Sequence, residues 1–147
     1  MEGRKVGILL ADGFEAKLKD ALVAAVKKEK ATPAIIALKV GGLMDAAGKK
    51  IMAEMALSGS PSIMFDAVAV LAGPAGEKSL SAEPDAIGFL MDADRHLKAI
   101  ALAGVSNLAK KTHIEGVVGV TDLRGNGDIS KFINFARNGK VWERDTA

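Results

Sequence analysis

The sequence predicts an α/β fold: a three-layer sandwich with a mostly parallel sheet of about five strands, helices on both faces and a small hairpin. Three observations predict it. Short runs that are apolar throughout recur along the chain, as in AVAVLA at 67–72 and AIALA at 99–103. Such runs mark strands buried on both faces, as parallel sheets require. Between them lie stretches whose apolar residues recur at helical spacing. Turn signals such as Asp12-Gly13, Gly73-Pro74 and Asn138-Gly139 punctuate the alternation.

The elements follow in order. Residues 4–11, RKVGILLA, form the first strand. From Phe14 to Lys30 the period changes: Phe14, Leu18, Ala21, Leu22, Ala25 and Val26 share one face and lysines fill the other. Thr32-Pro33 closes this helix, because proline cannot continue it. Residues 34–40 are a second strand. Asp45-Ala46-Ala47-Gly48 reads as a turn joining Leu43-Met44 to an extended piece at 51–56, a hairpin. Residues 67–72 are the third strand, and Gly73-Pro74-Ala75-Gly76 forces a loop. Glu83-Pro84 opens a helix to about Leu97, since proline suits the first helical position. Residues 99–103 are the fourth strand, 105–111 a short helix and 117–120 the fifth strand. Asp128 to Asn138 is the last helix, with Ile129, Phe132, Ile133 and Ala136 on one face. Val141-Trp142 reads as a terminal strand. The alternation is that of a doubly wound, flavodoxin-like sandwich, and 147 residues make one domain spanning 1–147.

Composition narrows the function. A hydrophobic fraction of 49% excludes disorder. The net charge of +2 is too balanced for a dedicated nucleic-acid binder, and the basic clusters Lys27-Lys28-Glu29-Lys30 and Lys110-Lys111 read as solvated helix ends. No apolar run reaches the ~20 residues that span a bilayer. With no signal-peptide pattern at the start, a cytoplasmic location is the expectation. The absence of cysteine excludes disulfides, thiolate metal sites and a cysteine nucleophile. The six methionines suggest an adaptable apolar surface or, for most of them, core filling.

In a doubly wound fold, ligands sit beyond the carboxyl ends of the strands at the switch point. The first such loop, Ala11-Asp12-Gly13-Phe14-Glu15, has two acids that would repel a phosphate, and Gly125-Asn126-Gly127 lacks a dinucleotide spacing. Glu15 suits a helix's first turn, where the dipole favours a carboxylate. The fourth strand ends Leu102-Ala103-Gly104, where a nucleophile elbow would present Ser or Cys. Neither hydrocarbon side chain attacks a carbonyl, and Ser106 reads as a helix cap. His96 and His113 have no partner at a spacing that makes a base or a metal site. The polar run Asp122 to Asp128 lacks the ligand spacing of a calcium loop.

VGILLADGFE at 6–15 resembles the opening of the PfpI-type, class I glutamine-amidotransferase-like superfamily, and DAVAVLAGP at 66–74 resembles its third-strand pattern. In active members the elbow carries Cys followed by His. The resemblance places Leu102 and Ala103 at those two positions, before Gly104, and Glu15 where the family's acid contacts the cysteine. It implies a vestigial elbow, Leu102, Ala103 and Gly104, with the acid Glu15 retained and no catalytic residue. A narrower resemblance lies in RHLKAIALAG at 95–104, similar to the H-L-K-x-I-A-L-A-G segment of the C-terminal domain of large-subunit catalases. SGSPSIMFD at 58–66 and the VWER tail at 141–144 support it.

That resemblance implies a non-catalytic accessory domain of a haem catalase whose parent enzyme detoxifies hydrogen peroxide. The domain would contribute stability and assembly, with a chaperone-like action on unfolded clients. Its partners would be the catalase core and neighbouring subunits in an oligomer, and neither nucleic acid nor membrane. Haem is expected only in the parent core, since its tyrosine ligand has no counterpart in a chain without tyrosine. The chain itself is expected to hold no cofactor and no metal. Met1-Glu2-Gly3 runs directly into the first strand, so an excised domain or a free-standing relative is expected. Two alternatives remain: a PfpI-type hydrolase-like protein using Glu15 with His113 or Ser106 in place of a thiol, and a small-molecule sensor at the strand ends near Glu15, Gly73 and Gly104.

Overall fold

A computed structural model describes residues 3–60, 62–114, 117–123 and 126–138. Strand β1 (Lys5–Leu10) leads into helix α1 (Ala16–Lys28) and strand β2 (Thr32–Ala37). Two short strands follow, β3 (Leu43–Met44) and β4 (Lys50–Ile51), and then β5 (Met55–Ala56). Single 3₁₀ turns at Leu57–Gly59 and Ser62–Met64 precede β6 (Ala67–Leu71). Helices α2 (Pro74–Ser81) and α3 (Pro84–Arg95), strand β7 (Ala99–Ala103), helix α4 (Ser106–Lys111), strand β8 (Val120–Asp122) and helix α5 (Asn126–Arg137) complete the order.

Six strands form one sheet in the order β5-β2-β1-β6-β7-β8, and every pairing in it is parallel. The α/β sandwich predicted from the apolar runs is therefore the observed fold. One extra edge strand comes from the predicted hairpin. Its second arm splits: Lys50–Ile51 pairs antiparallel with β3, while Met55–Ala56 crosses to pair with β2.

Each sheet face carries its own apolar layer, because side chains alternate along a strand. Val6, Ile8 and Leu10 of β1 pack with Leu22 and Val26 of α1 and with Phe132 and Ala136 of α5. Leu9 of β1, Val68 and Val70 of β6, and Ile100 and Leu102 of β7 pack with Leu80 of α2, Phe89 and Leu90 of α3 and Leu108 of α4. Gly7 interrupts β1 for a reason: a Cβ there would stand 2.7 Å from the Phe65 ring.

Four readings need correction, the first at the second strand: it is Thr32–Ala37 rather than 34–40, so Thr32-Pro33 belongs to β2, and α1 ends earlier at Lys28. Gly73-Pro74-Ala75-Gly76 is not a loop but the start of α2, with Gly73 as N-cap and Pro74 in the first turn. Pro74 is tolerated there because its missing N–H would have no intrahelical partner. The fifth strand is Val120–Asp122 rather than 117–120, because Gly119 at φ +86° ends a turn in which the Val120 amide donates to the Val117 carbonyl at 3.0 Å. The methionines do not fill the core: Met44, Met52, Met64 and Met91 are exposed and Met55 is half-buried. The proposed strand at Val141-Trp142 and the tail at 141–144 lie outside the described residues.

Candidate functional site

The sheet order reverses between β1 and β6, which places the switch point at the loops after these two strands. Backbone fills it. Beyond β1, the Ala11 amide donates to the Leu71 carbonyl at 3.0 Å. The Asp12 carbonyl then accepts from Gly73 at 3.1 Å and from Gly76 at 3.2 Å, which takes up amides at the start of α2. The approach is so close that Cβ atoms do not fit. One on Gly73 would lie 2.7 Å from the Gly13 carbonyl oxygen, and one on Gly76 would lie 2.4 Å from that of Asp12. Glycine-to-backbone packing draws the loops after β1 and β6 into direct contact at this point.

The Asp12 side chain organises the neighbouring hairpin. Its Oδ1 accepts from the Met44 amide at 3.0 Å, while the Gly13 amide donates to the Met44 carbonyl at 2.9 Å. Inside the turn, Oδ1 of buried Asp45 accepts from Ala47 and Lys49, each at 2.9 Å, and the Ala46 amide reaches the Phe14 carbonyl at 2.8 Å. Glu15, the acid singled out from the sequence, does less. It is the N-cap of α1 rather than a first-turn residue, and its exposed carboxylate makes no cap hydrogen bond.

The fourth-strand elbow is also closely packed. Leu102 and Ala103 stay in strand conformation, only 5% and 8% exposed. Their carbonyls accept from Leu123 at 2.7 Å and Ala72 at 3.0 Å. The turn comes at Gly104, with φ +70°, where a Cβ would lie 2.0 Å from the Ala72 carbonyl oxygen. Next comes α4, whose first amides are taken by a carboxylate from another helix. Oε2 of Glu77 accepts from Asn107 at 2.8 Å and from Leu108 at 3.2 Å, and Oε1 accepts from the Asn107 side chain at 3.3 Å. Acyl-transfer chemistry needs free amide donors aimed at the oxygen where charge develops. Glu77 occupies the amides of Asn107 and Leu108, so those two are not available to an anion. Glu77 was not visible in sequence reasoning, because its role depends on α2 lying against α4.

Ser106 and His113 stand at opposite ends of α4. Ser106 is the first residue of α4 and makes no cap bond; Val105 is the N-cap. His113 lies past the other end of α4, about 10 Å along the axis from Ser106 at 1.5 Å per residue, at φ +60°. In the sheet, β6 lies between β7, which carries Leu102, and β1, which leads to Glu15. His96 is the C-cap of α3. Lys98, from the catalase-like string, is buried, and its ammonium donates to the Ser62 carbonyl at 2.6 Å and to that of Phe65. It fastens the turn before β6.

Among the described residues no cluster of three or more His, Asp or Glu is placed to hold a metal ion. No helix among them is long and apolar enough to cross a membrane. A cleft of about 330 Å³ lies beyond β1 and β2, lined by Asp12, Leu38, Lys39, Leu43 and Ser79 among others. Neither histidine lines it.

Fold and site together define a class: a doubly wound domain of nucleophile-elbow topology whose elbow offers hydrocarbon. The family model for the C-terminal domain found in long catalases matches residues 2–146, and the chain belongs to that family. Catalase C of Rhizobium meliloti is 39% identical over 98% of this chain, and catalase HPII of Pseudomonas putida is 30% identical over 100% of this chain. The chain spans about a fifth of those relatives, 21% and 20% of their lengths. Among solved structures, Drosophila melanogaster DJ-1beta superposes with a TM-score of 0.73 at 14% identity, covering 99% of this chain and 95% of that one. At that identity the likeness speaks for the fold.

Proposed function

We propose that this chain is a non-catalytic accessory domain that docks on the haem core of a long catalase and contributes to its stability and assembly. The observation that carries the reading is the family match over residues 2–146, on a structure whose switch point and elbow are filled by the chain's own groups. A filled site leaves the surface to act. Met64, in the turn fastened by Lys98, and Met91, on α3, are exposed on the face covered by α3. Unbranched thioether side chains adapt to an uneven partner surface and gain by leaving water. The same property suits unfolded clients, so a chaperone-like action belongs to this reading.

The test is association of this chain with a separately prepared haem core, read by sedimentation. Binding that weakens in Met64→Lys and Met91→Lys supports the reading. No association, together with no slowing of aggregation of a heated client, overturns it.

One observation favours a second reading, a small-molecule sensor. The cleft beyond β1 and β2 is lined by Asp12 and Lys39, so it offers both signs of charge beside Leu38 and Leu43. The sequence placed such a site near Glu15, Gly73 and Gly104, and none of the three lines this cleft. A metabolite that raises the melting temperature of the wild type but not of Asp12→Asn supports this reading. For the PfpI-type alternative, Ser106 and His113 stand at opposite ends of α4, so at most one of them can serve Glu15.

A further inference from the structure

We infer that Met52 is a site of reversible oxidation by hydrogen peroxide, and that the distribution of sulfur over this fold keeps such oxidation out of the core.

The chain has six methionines and no cysteine, so thioethers are its only sulfur. None of the described methionines is buried. Met52 is 72% exposed, the largest value among the exposed large apolar residues, while Met44, Met64 and Met91 lie between 39% and 43%. Met55 is half-buried where β5 joins the sheet edge. The buried residues of both apolar layers are Ala, Val, Leu, Ile and Phe, none of which peroxide attacks at ordinary concentrations, and Met55 alone among the described methionines packs against one of them, half-buried at its edge. Met52 also lies between β4 and β5, in neither strand, and its neighbour Ala53 holds the backbone by donating to the Val40 carbonyl at 3.0 Å.

The chemistry balances with peroxide as the oxidant. A sulfur lone pair attacks one peroxide oxygen and the O–O bond breaks. The sulfide becomes a sulfoxide, peroxide is reduced, and the second oxygen leaves as water after proton transfer. A methionine sulfoxide reductase with a dithiol reductant reverses it, returning the thioether, a disulfide and water. The sulfoxide is polar and chiral, which disrupts a core but not a side chain already in water. The fold is therefore indifferent to oxidation at Met52. This inference rests on the chain's own surface and not on the docking reading, so either can fail without the other.

The experiment exposes the chain to dilute hydrogen peroxide and maps the gain of about 16 mass units per site by peptide mass spectrometry. The same mapping in guanidinium gives each site's unprotected rate. Met52 is expected to react at close to its unprotected rate, and Met55 at least ~5-fold below its own. A chain oxidised at Met52 should melt within ~2 °C of the untreated chain. Reductase treatment should restore the original mass. Met52→Leu should remove the fastest step and leave the melting temperature unchanged. Equal protection at Met52 and Met55, including the equal rates of an unfolded chain, overturns the inference. So does a large loss of melting temperature on Met52 oxidation.

Discussion

Gly104 carries the sharpest consequence at the scale of single residues. Its φ of +70° lies where side chains are strained, and a Cβ would stand 2.0 Å from the Ala72 carbonyl oxygen. Gly104→Ala should cost on the order of 3 kcal/mol or more, seen as a lower urea midpoint. An unchanged midpoint would mean that β6 and β7 do not end as described. Thr121 acts in the opposite direction. It is buried in β8, and its hydroxyl has no hydrogen-bond partner. Thr121→Val keeps the branched shape and removes the unpaired group, so it should raise stability by about 1 kcal/mol in the same titration. The sequence showed hydrocarbon at Leu102 and Ala103, because an absent nucleophile is legible from residue type alone. It did not show Asp12 or Glu77 as organising acids. Their roles come from backbone amides that only folding brings near them, and Glu15 drew attention because its helix start could be read locally.

Elements were legible where hydrophobic period and length agreed. β1, β6, β7, α1 and α3 appear where their patterns place them, to within a residue or a few at the ends. The failures have physical causes. Gly73-Pro74-Ala75-Gly76 has the composition of a loop, yet Gly76 sits inside α2 because the Asp12 carbonyl occupies the space of its Cβ. Three helices end with an ordinary residue in the left-handed region: Lys30, Leu97 and His113, at φ 60–61°. After each, the next amide bonds five residues back, as in Ala31 to the Val26 carbonyl at 3.2 Å. Glycine is the usual residue there, so these ends give no signal in the sequence. Lys30 is exposed, and Lys30→Gly should stabilise by up to about 1 kcal/mol, about 3 °C in melting temperature. A fall would mean that α1 does not end in this way.

The ends of α1 and α5 meet through Glu29 and Arg137, with Nε to Oε1 at 2.8 Å. The hydrogen bond from Arg137 holds the Glu29 carboxyl below its ordinary value, more than desolvation raises it. A lowered folded-state value means that this contribution is present above the ordinary carboxylate range and is lost as pH falls through the folded value. Thermal melts from neutral pH down through that range should therefore fall more steeply for the wild type than for Glu29→Gln, and the difference should shrink in high salt. Parallel curves would remove the pair from the account.

At the scale of the whole molecule, the parallel sheet builds a platform that commonly presents chemistry at its carboxyl edge, and here the loops after β1 and β6 touch at that edge, with a cleft left beyond β1 and β2. Glycines let the loops after β1 and β6 touch, Glu77 takes the amides at the start of α4, and Leu102 remains in the strand. What faces outward is an unusual share of methionine. The sequence shows which residues stand at the end of β7 but not the close packing around them, since close backbone approach depends on strands far apart in the chain. The most direct measurement is turnover of peptides, glycated amines and glutamine by the wild type and by Glu15→Ala. We expect no turnover above background from either. Turnover by the wild type that Glu15→Ala abolishes would contradict the account.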